Sequence, residues 1–242
     1  MEGDAVNEAA RVEQGPPDAF VLDNIVWESL NGPHARFATV ESDAARYPGD
    51  VAPFVALAPH SNESVWEDLA TLFGPGGVVV LVGVDLPPPS TWEVLNKIDA
   101  VQMTSAHFVV EHDPEIVALS SADVPEMLAL VERTKPGPFL PRTIELGNYF
   151  GIRREGALIA MAGERLHPPG WTEISAVCTD NQYRGQGLGS RLMKTVGAGI
   201  VARGEKPLLH ASSTNTNAIR LYEQLGFAVR RHIPFEVLRI SD

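Results

Sequence analysis

The stretch Arg184-Gly185-Gln186-Gly187-Leu188-Gly189-Ser190 is a glycine-rich turn between an extended apolar segment, Glu173 to Thr179, and a helical one, Leu188 to Val201. In such a turn, successive backbone N–H groups and the positive end of the helix dipole converge on one point and can hold an anion there. Glycines let that backbone approach a pyrophosphate closely. Three cofactor classes use a turn of this kind, and what accompanies the turn separates them. A P-loop needs Gly-Lys-Ser or Gly-Lys-Thr at its end, which is absent here. A dinucleotide fold needs Gly-x-Gly-x-x-Gly and an acidic residue ending the next strand, whereas the next strand here ends near His210 to Ser213.

Downstream, at a distance that leaves room for one helix and one strand, stands Asn215-x-x-Ala218-Ile219-x-Leu221-Tyr222-Glu223-x-Leu225-Gly226-Phe227. The spacing Arg184-x-x-Gly187-x-Gly189 resembles the Q/R-x-x-G-x-G/A signature of the GNAT superfamily of acyltransferases, and the second stretch resembles that superfamily's other motif. The resemblance runs from about residue 108 to about 238. Within the superfamily, Gly137-Pro138-Phe139 through Glu145-Leu146-Gly147, Met161 to Arg165 and Thr172 to Thr179 look most like the glycine N-acyltransferase-like branch. Asn181 departs from the pattern, standing where many members carry proline before the turn.

The resemblance implies an α/β (α+β) fold: a mixed, mostly antiparallel central sheet flanked by helices, with an N-terminal α/β unit related to a degenerate copy of the same fold. It also implies acetyl-CoA as acyl donor and direct attack by a primary amine through a tetrahedral intermediate. The turn, Arg184, Gly185, Gln186, Gly187, Leu188, Gly189 and Ser190, together with Asn215, would hold the cofactor. Main-chain groups of Val177, Cys178 and Thr179 would pair with its pantetheine arm and polarise the thioester carbonyl. Tyr222 matches the family's tyrosine, which often donates a proton or hydrogen bond to the CoA sulfur; the alternative to that role is packing in the core with Ile219, Leu225 and Gly226. Glu173, six residues before Thr179, resembles the catalytic glutamate of histone-acetyltransferase relatives, with Glu164 as its rival. Strand alternation puts Glu173, Ser175, Val177 and Thr179 on one face and turns Cys178 away, so Cys178 is expected to be a buried structural thiol. A non-catalytic acyl-CoA-binding regulatory module is the alternative function.

The rest of the chain sets bounds. Its 242 residues favour two domains, and 44% hydrophobic with 21% charged residues is ordinary globular composition. A net charge of −12 supplies no basic patch for nucleic acid. Cys178 is the single cysteine, so there is no intrachain disulfide, and the histidines show no metal-ligand spacing. No stretch approaches the roughly 18 apolar residues of a membrane span, and no leader-like apolar segment opens the chain; a cytoplasmic protein is expected. The expected division is a disordered tail at 1–17, an N-terminal α/β domain at 18–112 and an acyltransferase domain at 113–242. Arg36 to Glu41, Val51 to Ala58 and Gly77 to Val84 read as strands, Ser61 to Phe73 as a helix, Trp92 to Lys97 as a short helix and Ala106 to Glu111 as a strand. Beyond these, a helix is expected from Ser121, with Met127, Leu128, Leu130 and Val131 on its apolar face and Pro136-Gly137-Pro138 to stop it; Leu158 to Leu166 and Glu173 to Thr179 read as a hairpin, Pro207 to Ala211 as a strand, Asn217 to Leu225 as a helix and Val237 to Ile240 as a last strand. The motif-poor N-terminal half is open to a role in dimerisation, so a homodimer is one expectation. Loops at Thr134 to Tyr149 and Leu166 to Trp171 are expected to flank the acceptor.

Overall fold

The computed structural model of the chain describes residues 19–105, 107–111 and 113–241; the expected tail, residues 1–17, lies outside them. Helix α1 (Ile25–Leu30) leads into an antiparallel meander of β1 (Thr39–Glu41), β2 (Ala44–Arg46) and β3 (Val55–Leu57). Helix α2 (Val65–Phe73) follows, burying Val65, Trp66 and Leu69 and carrying Glu67 and Asp68 in its first turn, where the helix dipole favours acidic groups. Then come β4 (Val78–Val82) and β5 (Glu93–Ser105). The expected short helix at Trp92 to Lys97 is therefore the start of a thirteen-residue strand. The strand expected at Ala106 to Glu111 is not formed over residues 107–111, and Ala106 lies outside the described residues.

The C-terminal elements are β6 (Val117–Leu119), α3 (Val124–Thr134), β7 (Tyr149–Arg154), β8 (Ala157–Glu164), β9 (Trp171–Thr179), α4 (Leu188–Ala202), β10 (Lys206–Ser212), α5 (Thr216–Gln224) and β11 (Phe227–Arg239). Their strands join β4 and β5 in one eight-stranded sheet in the order β4-β11-β5-β10-β9-β8-β7-β6. Every neighbouring pair is antiparallel except β9 and β10. A parallel pair cannot be closed by a tight turn, so the chain leaves the end of β9, crosses the sheet as α4 and re-enters at β10. That crossover places the glycine-rich turn at the C-terminal end of β9.

Both faces of the sheet are covered. On one, α4 buries Leu188, Leu192, Met193, Val196 and Ile200, a stripe at helical spacing, against Ile152, Ile159, Ala162, Ile174 and Leu209. On the other, α1 and the segment before it pack with Ala100, Leu208, Trp171 and Ile233, and α3 sets Met127 and Leu130 against Tyr149 and Met161. Neighbours along a strand, such as Leu208 and Leu209, thus belong to different cores, as strand alternation requires. Each such buried side chain contributes about 1.5–3 kcal/mol.

Strand β5 comes from the N-terminal half yet lies between β10 and β11, paired from Ala100 to Thr104 with the first and from Glu93 to Ser105 with the second. The expected boundary between residues 112 and 113 follows the connection out of β5, and the sheet runs across it. Residues 113–242 expressed alone should therefore lack the strand that joins β10 to β11 and show no cooperative melt; a well-dispersed amide spectrum from that fragment would contradict this.

Beneath the sheet His34 is held neutral. Its Nε2 donates to Leu146 O at 3.1 Å, which leaves Nδ1 to accept from Tyr47 Oη at 2.9 Å. Burial, reinforced by the His167 ring 4.8 Å away, pushes the His34 pKa down to about 3. Because the folded value lies below the unfolded one of about 6.5, the unfolded chain takes up the proton first as pH falls. The stabilisation is complete above about pH 6.5 and declines below it by up to about 1.4 kcal/mol per pH unit. Urea unfolding at pH 7 and pH 5 should show this loss, and a His34→Gln variant, less stable at pH 7, should show a smaller difference between the two.

Candidate active site

Strands β9 and β10 are paired only from Trp171 and Lys206 to Glu173 and Leu208. Beyond that point they part, and a cleft of about 860 Å³ opens between their C-terminal ends. Val177, Cys178 and Thr179 form one wall, His210, Ala211 and Ser212 the other, and the turn Arg184, Gly185, Gly187, Leu188, Gly189 and Ser190 closes one end. Asn215, Leu221 and Tyr222 enter from α5. Thr134, Lys135 and Pro136, at the end of α3, supply a further lip, so part of the expected Thr134 to Tyr149 loop does border the cleft. Leu166 and Trp171, from the other loop expected there, are buried in the α1 core instead.

The turn is built to present backbone. Gly185 and Gly187 have φ of 78° and 72°, and the space a Cβ would occupy is open at both. Gly187 is the N-cap of α4, so no side chain satisfies the helix's first N–H groups, and no acidic residue stands in its first turn. The N–H groups of Leu188, Gly189 and Ser190 are left facing the cleft with the dipole behind them. Gln186, expected among the cofactor-binding residues, is exposed and does not line the cleft. Asn215 lines it and is also the N-cap of α5, its Oδ1 accepting from Ala218 N at 3.2 Å.

The alternation expected along β9 is broken. Ala176 has φ of +52°, and the register against β8 slips between Met161 and Gly163, which marks a β-bulge. Ile174 and Val177, three residues apart, consequently pack in the same α4 core. Glu173 and Thr179 thus do not share a face. Cys178 sits in the opposite core, and burial pushes its thiol up to about 11, so it is a protonated structural group.

Glu173 is 0% exposed and does not line the cleft. Its Oε1 accepts from Arg165 Nη2 at 2.6 Å and His210 Nδ1 at 2.8 Å, and its Oε2 from Arg165 Nε at 2.8 Å and Leu166 N at 3.3 Å. Burial alone would raise its pKa, but the Arg165 charge and hydrogen bonds, with those of His210, outweigh it and hold the carboxyl well below the usual carboxylate range. A carboxylate with four donors and so little proton affinity is not placed to act as a base, and the expectation for Glu173 is corrected accordingly. The rival Glu164 is also buried, with Oε2 accepting from Asn148 N and Nδ2 and Oε1 from Arg203 Nη2. The side chain that sequence reasoning passed over is His210. Its one signal was a polar residue in an otherwise apolar strand, Pro207-Leu208-Leu209-His210-Ala211.

Tyr222 borders the cleft with its ring edge-on to Phe227, 6.4 Å between centroids. Burial raises its pKa, so its hydroxyl keeps its proton at neutral pH and is a donor. Among the described residues no three His, Cys, Asp or Glu side chains cluster as metal ligands, and no helix is long and apolar enough to cross a membrane.

Comparison with known proteins agrees with this geometry. Residues 149–235 match a sequence family described as FR47-like protein. A crystal structure from Novosphingobium aromaticivorans, described as an acetyltransferase from the GNAT family, is 41% identical with a TM-score of 0.84, covering 91% of this chain and 99% of its own. A GCN5-related N-acetyltransferase from Kribbella flavida, 18% identical with a TM-score of 0.59 over 90% of this chain and 95% of its own, shares the fold. Shorter similarities reach the mycothiol acetyltransferase of Corynebacterium glutamicum, 38% identical over 30% of this chain and 25% of that protein, and the N-alpha-acetyltransferase RimI of Mycobacterium tuberculosis, 35% identical over 33% and 51%. The chain spans between 25% and 56% of the length of the curated relatives it matches. With its mixed sheet, its parted β9 and β10 and a full-length relative at 41% identity, the chain belongs to the GNAT family.

Proposed function

We propose that the protein is an acetyl-CoA-dependent N-acetyltransferase that acts on a primary amine. The observation that carries this reading is the cleft between β9 and β10, closed at one end by an uncapped helix N-terminus and bordered by a protonated tyrosine. The residues present fit the cofactor: the open space over Gly185 and Gly187 admits a pyrophosphate to the N–H groups of Leu188 to Ser190. Arg184 adds a positive charge beside it. When bound, acetyl-CoA supplies an acyl carbon already activated by a thiol leaving group. On the edge where β9 no longer pairs with β10, main-chain groups of Val177 to Thr179 would orient the pantetheine arm and polarise the thioester carbonyl. The Tyr222 hydroxyl gives its proton to the departing sulfur. N-acetylation is supported by the relatives, one described as an N-alpha-acetyltransferase and another as a mycothiol acetyltransferase. Kinship with the glycine N-acyltransferase-like branch rests on the stretches around Gly137, Met161 and Thr172, and a cytoplasmic setting suits the single buried thiol; both belong to this proposal. So does a division at residues 112 and 113, with the N-terminal unit acting as scaffold.

Thermal denaturation with and without acetyl-CoA tests the cofactor site. At 100 times its dissociation constant the ligand should stabilise the wild type by about 2.7 kcal/mol. A Gly187→Glu variant, which puts a carboxylate and an unfavourable positive φ where the pyrophosphate would lie, should lose that shift. Absence of any shift in the wild type would refute the proposal. Thiol release with a panel of amino acids, polyamines, small amines and peptide N-termini separates an enzyme from a regulatory module, since the module would bind CoA and release none. For the amine that turns over, Tyr222→Phe should lower kcat about 10²-fold or more while leaving the thermal shift intact.

A further inference from the structure

Behind the cleft, starting from His210 in its wall, runs a hydrogen-bonded chain whose donors and acceptors can be assigned without ambiguity. Gln102, on β5 and opposite His210 on β10, has its Oε1 2.8 Å from Arg230 Nη1 and its Nε2 3.1 Å from Leu22 O. A guanidinium only donates and a carbonyl only accepts, so the amide cannot be flipped. Its second N–H therefore points at His210 Nε2, 3.0 Å away, and that nitrogen must be an acceptor. On the other side of the ring, Nδ1–H donates to Glu173 Oε1 at 2.8 Å. His210 is thus a neutral imidazole in the Nδ1–H tautomer, with a carboxylate at its back and a single lone pair on Nε2.

Resting on the acetyl-CoA reading, we propose that His210 is the group that takes the proton from the acceptor amine, with Glu173 as its positioning residue. His210 lies in the parted strand and lines the cleft, and its ring, 3% exposed, is packed edge-on to Phe235. An arriving amine replaces the Gln102 N–H as donor to Nε2, and Gln102 keeps its bond to Leu22 O. As the amine nitrogen bonds to the acyl carbon, its proton passes to His210 Nε2. The carbon–sulfur bond breaks and the sulfur leaves with the proton of Tyr222 Oη; His210 and Tyr222 return to their starting states by proton exchange through solvent. The charge formed on the ring is met by Glu173, whose own charge is already balanced by Arg165, so the carboxylate holds the ring without taking the proton. The charged and titratable groups facing His210 are Glu173 and Arg165 from the β8–β9 side, Arg230 and its partner Asp23 through Gln102, and Tyr47 beyond Arg165.

Bromoacetyl-CoA tests the placement without knowledge of the acceptor, because its alkylating carbon stands at the position of the acetyl methyl group, one bond from the acyl carbon. Nε2 should displace bromide, and peptide mapping should find the adduct on His210. Gln102→Met, which frees the lone pair, should speed the reaction several-fold. An adduct on Cys178 or elsewhere, or none from a protein that CoA still stabilises, would overturn the proposal. His210→Gln supplies the kinetic arm: its amide can donate to Glu173 and accept from Gln102 but cannot take a proton. With the amine identified by thiol release, the variant should keep the CoA thermal shift and lose at least 100-fold in kcat; turnover within threefold of wild type would overturn the assignment. Failure of CoA to stabilise the wild type would instead refute the acetyl-CoA reading, and this proposal with it.

Discussion

Glu173 sits at the fork where β9 and β10 stop pairing, and its buried charge is the constraint on which the rest of the site depends. A carboxylate with no exposure is tolerable only with its charge matched and its lone pairs filled. Arg165 does the first, and Arg165, His210 and Leu166 N together do the second. From there the chain of contacts continues through Gln102 and Arg230 to Asp23, joining β9, β10, β5, β11 and the segment before α1. Removing one partner of such a network typically costs about 3–5 kcal/mol, whereas an apolar set of the same volume can be as stable. Stability alone therefore does not call for it. What the ions provide is orientation, with the strands parting at one defined place and one imidazole held in one tautomer.

The parts of this arrangement that were legible in the sequence are those where backbone geometry dictates a residue type. Gly185 and Gly187 stand at positive φ in the turn, Gly226 at positive φ of 90° after α5, and Asn215 caps α5, each at the position its motif gives it. Helices α4 and α5 and strands β8, β9 and β10 lie within a few residues of where periodicity put them. The mixed, mostly antiparallel sheet followed from the two motifs taken together.

What could not be read has local physical causes. The first seven residues of β5 are exposed on both faces, so no alternation marks them, and the spacing of Val94, Leu95 and Ile98 imitates a helix. Strand β11 is interrupted in sequence by Arg230, Arg231 and Pro234. Pro234 is tolerated because its carbonyl accepts from Gly83 N, so its missing N–H faces the same side, just past the end of β4 at Val82, and costs β5 no bond. The bulge at Ala176 reversed the parity on which Glu173 and Thr179 had been placed together. The partners that disqualify Glu173 as a base lie 8 and 37 residues away along the chain, and no local pattern connects them.

These same contacts decide what the N-terminal half is for. It gives the sheet β5, which pairs with β10 on one side and β11 on the other and so joins them. It also gives the site Gln102, the Leu22 carbonyl that anchors Gln102, and the Asp23 carboxylate that balances Arg230. The two motifs that identify the family lie wholly in the C-terminal half, yet the tautomer of His210 is set by residues from the other. A substitution near Leu22 or Asp23 thus acts on the cleft through Gln102 with no contact to the cleft itself. On the reading proposed above, the turn that would hold CoA is self-contained in the C-terminal half, whereas the imidazole that would take the amine's proton is set by residues from both halves of the chain.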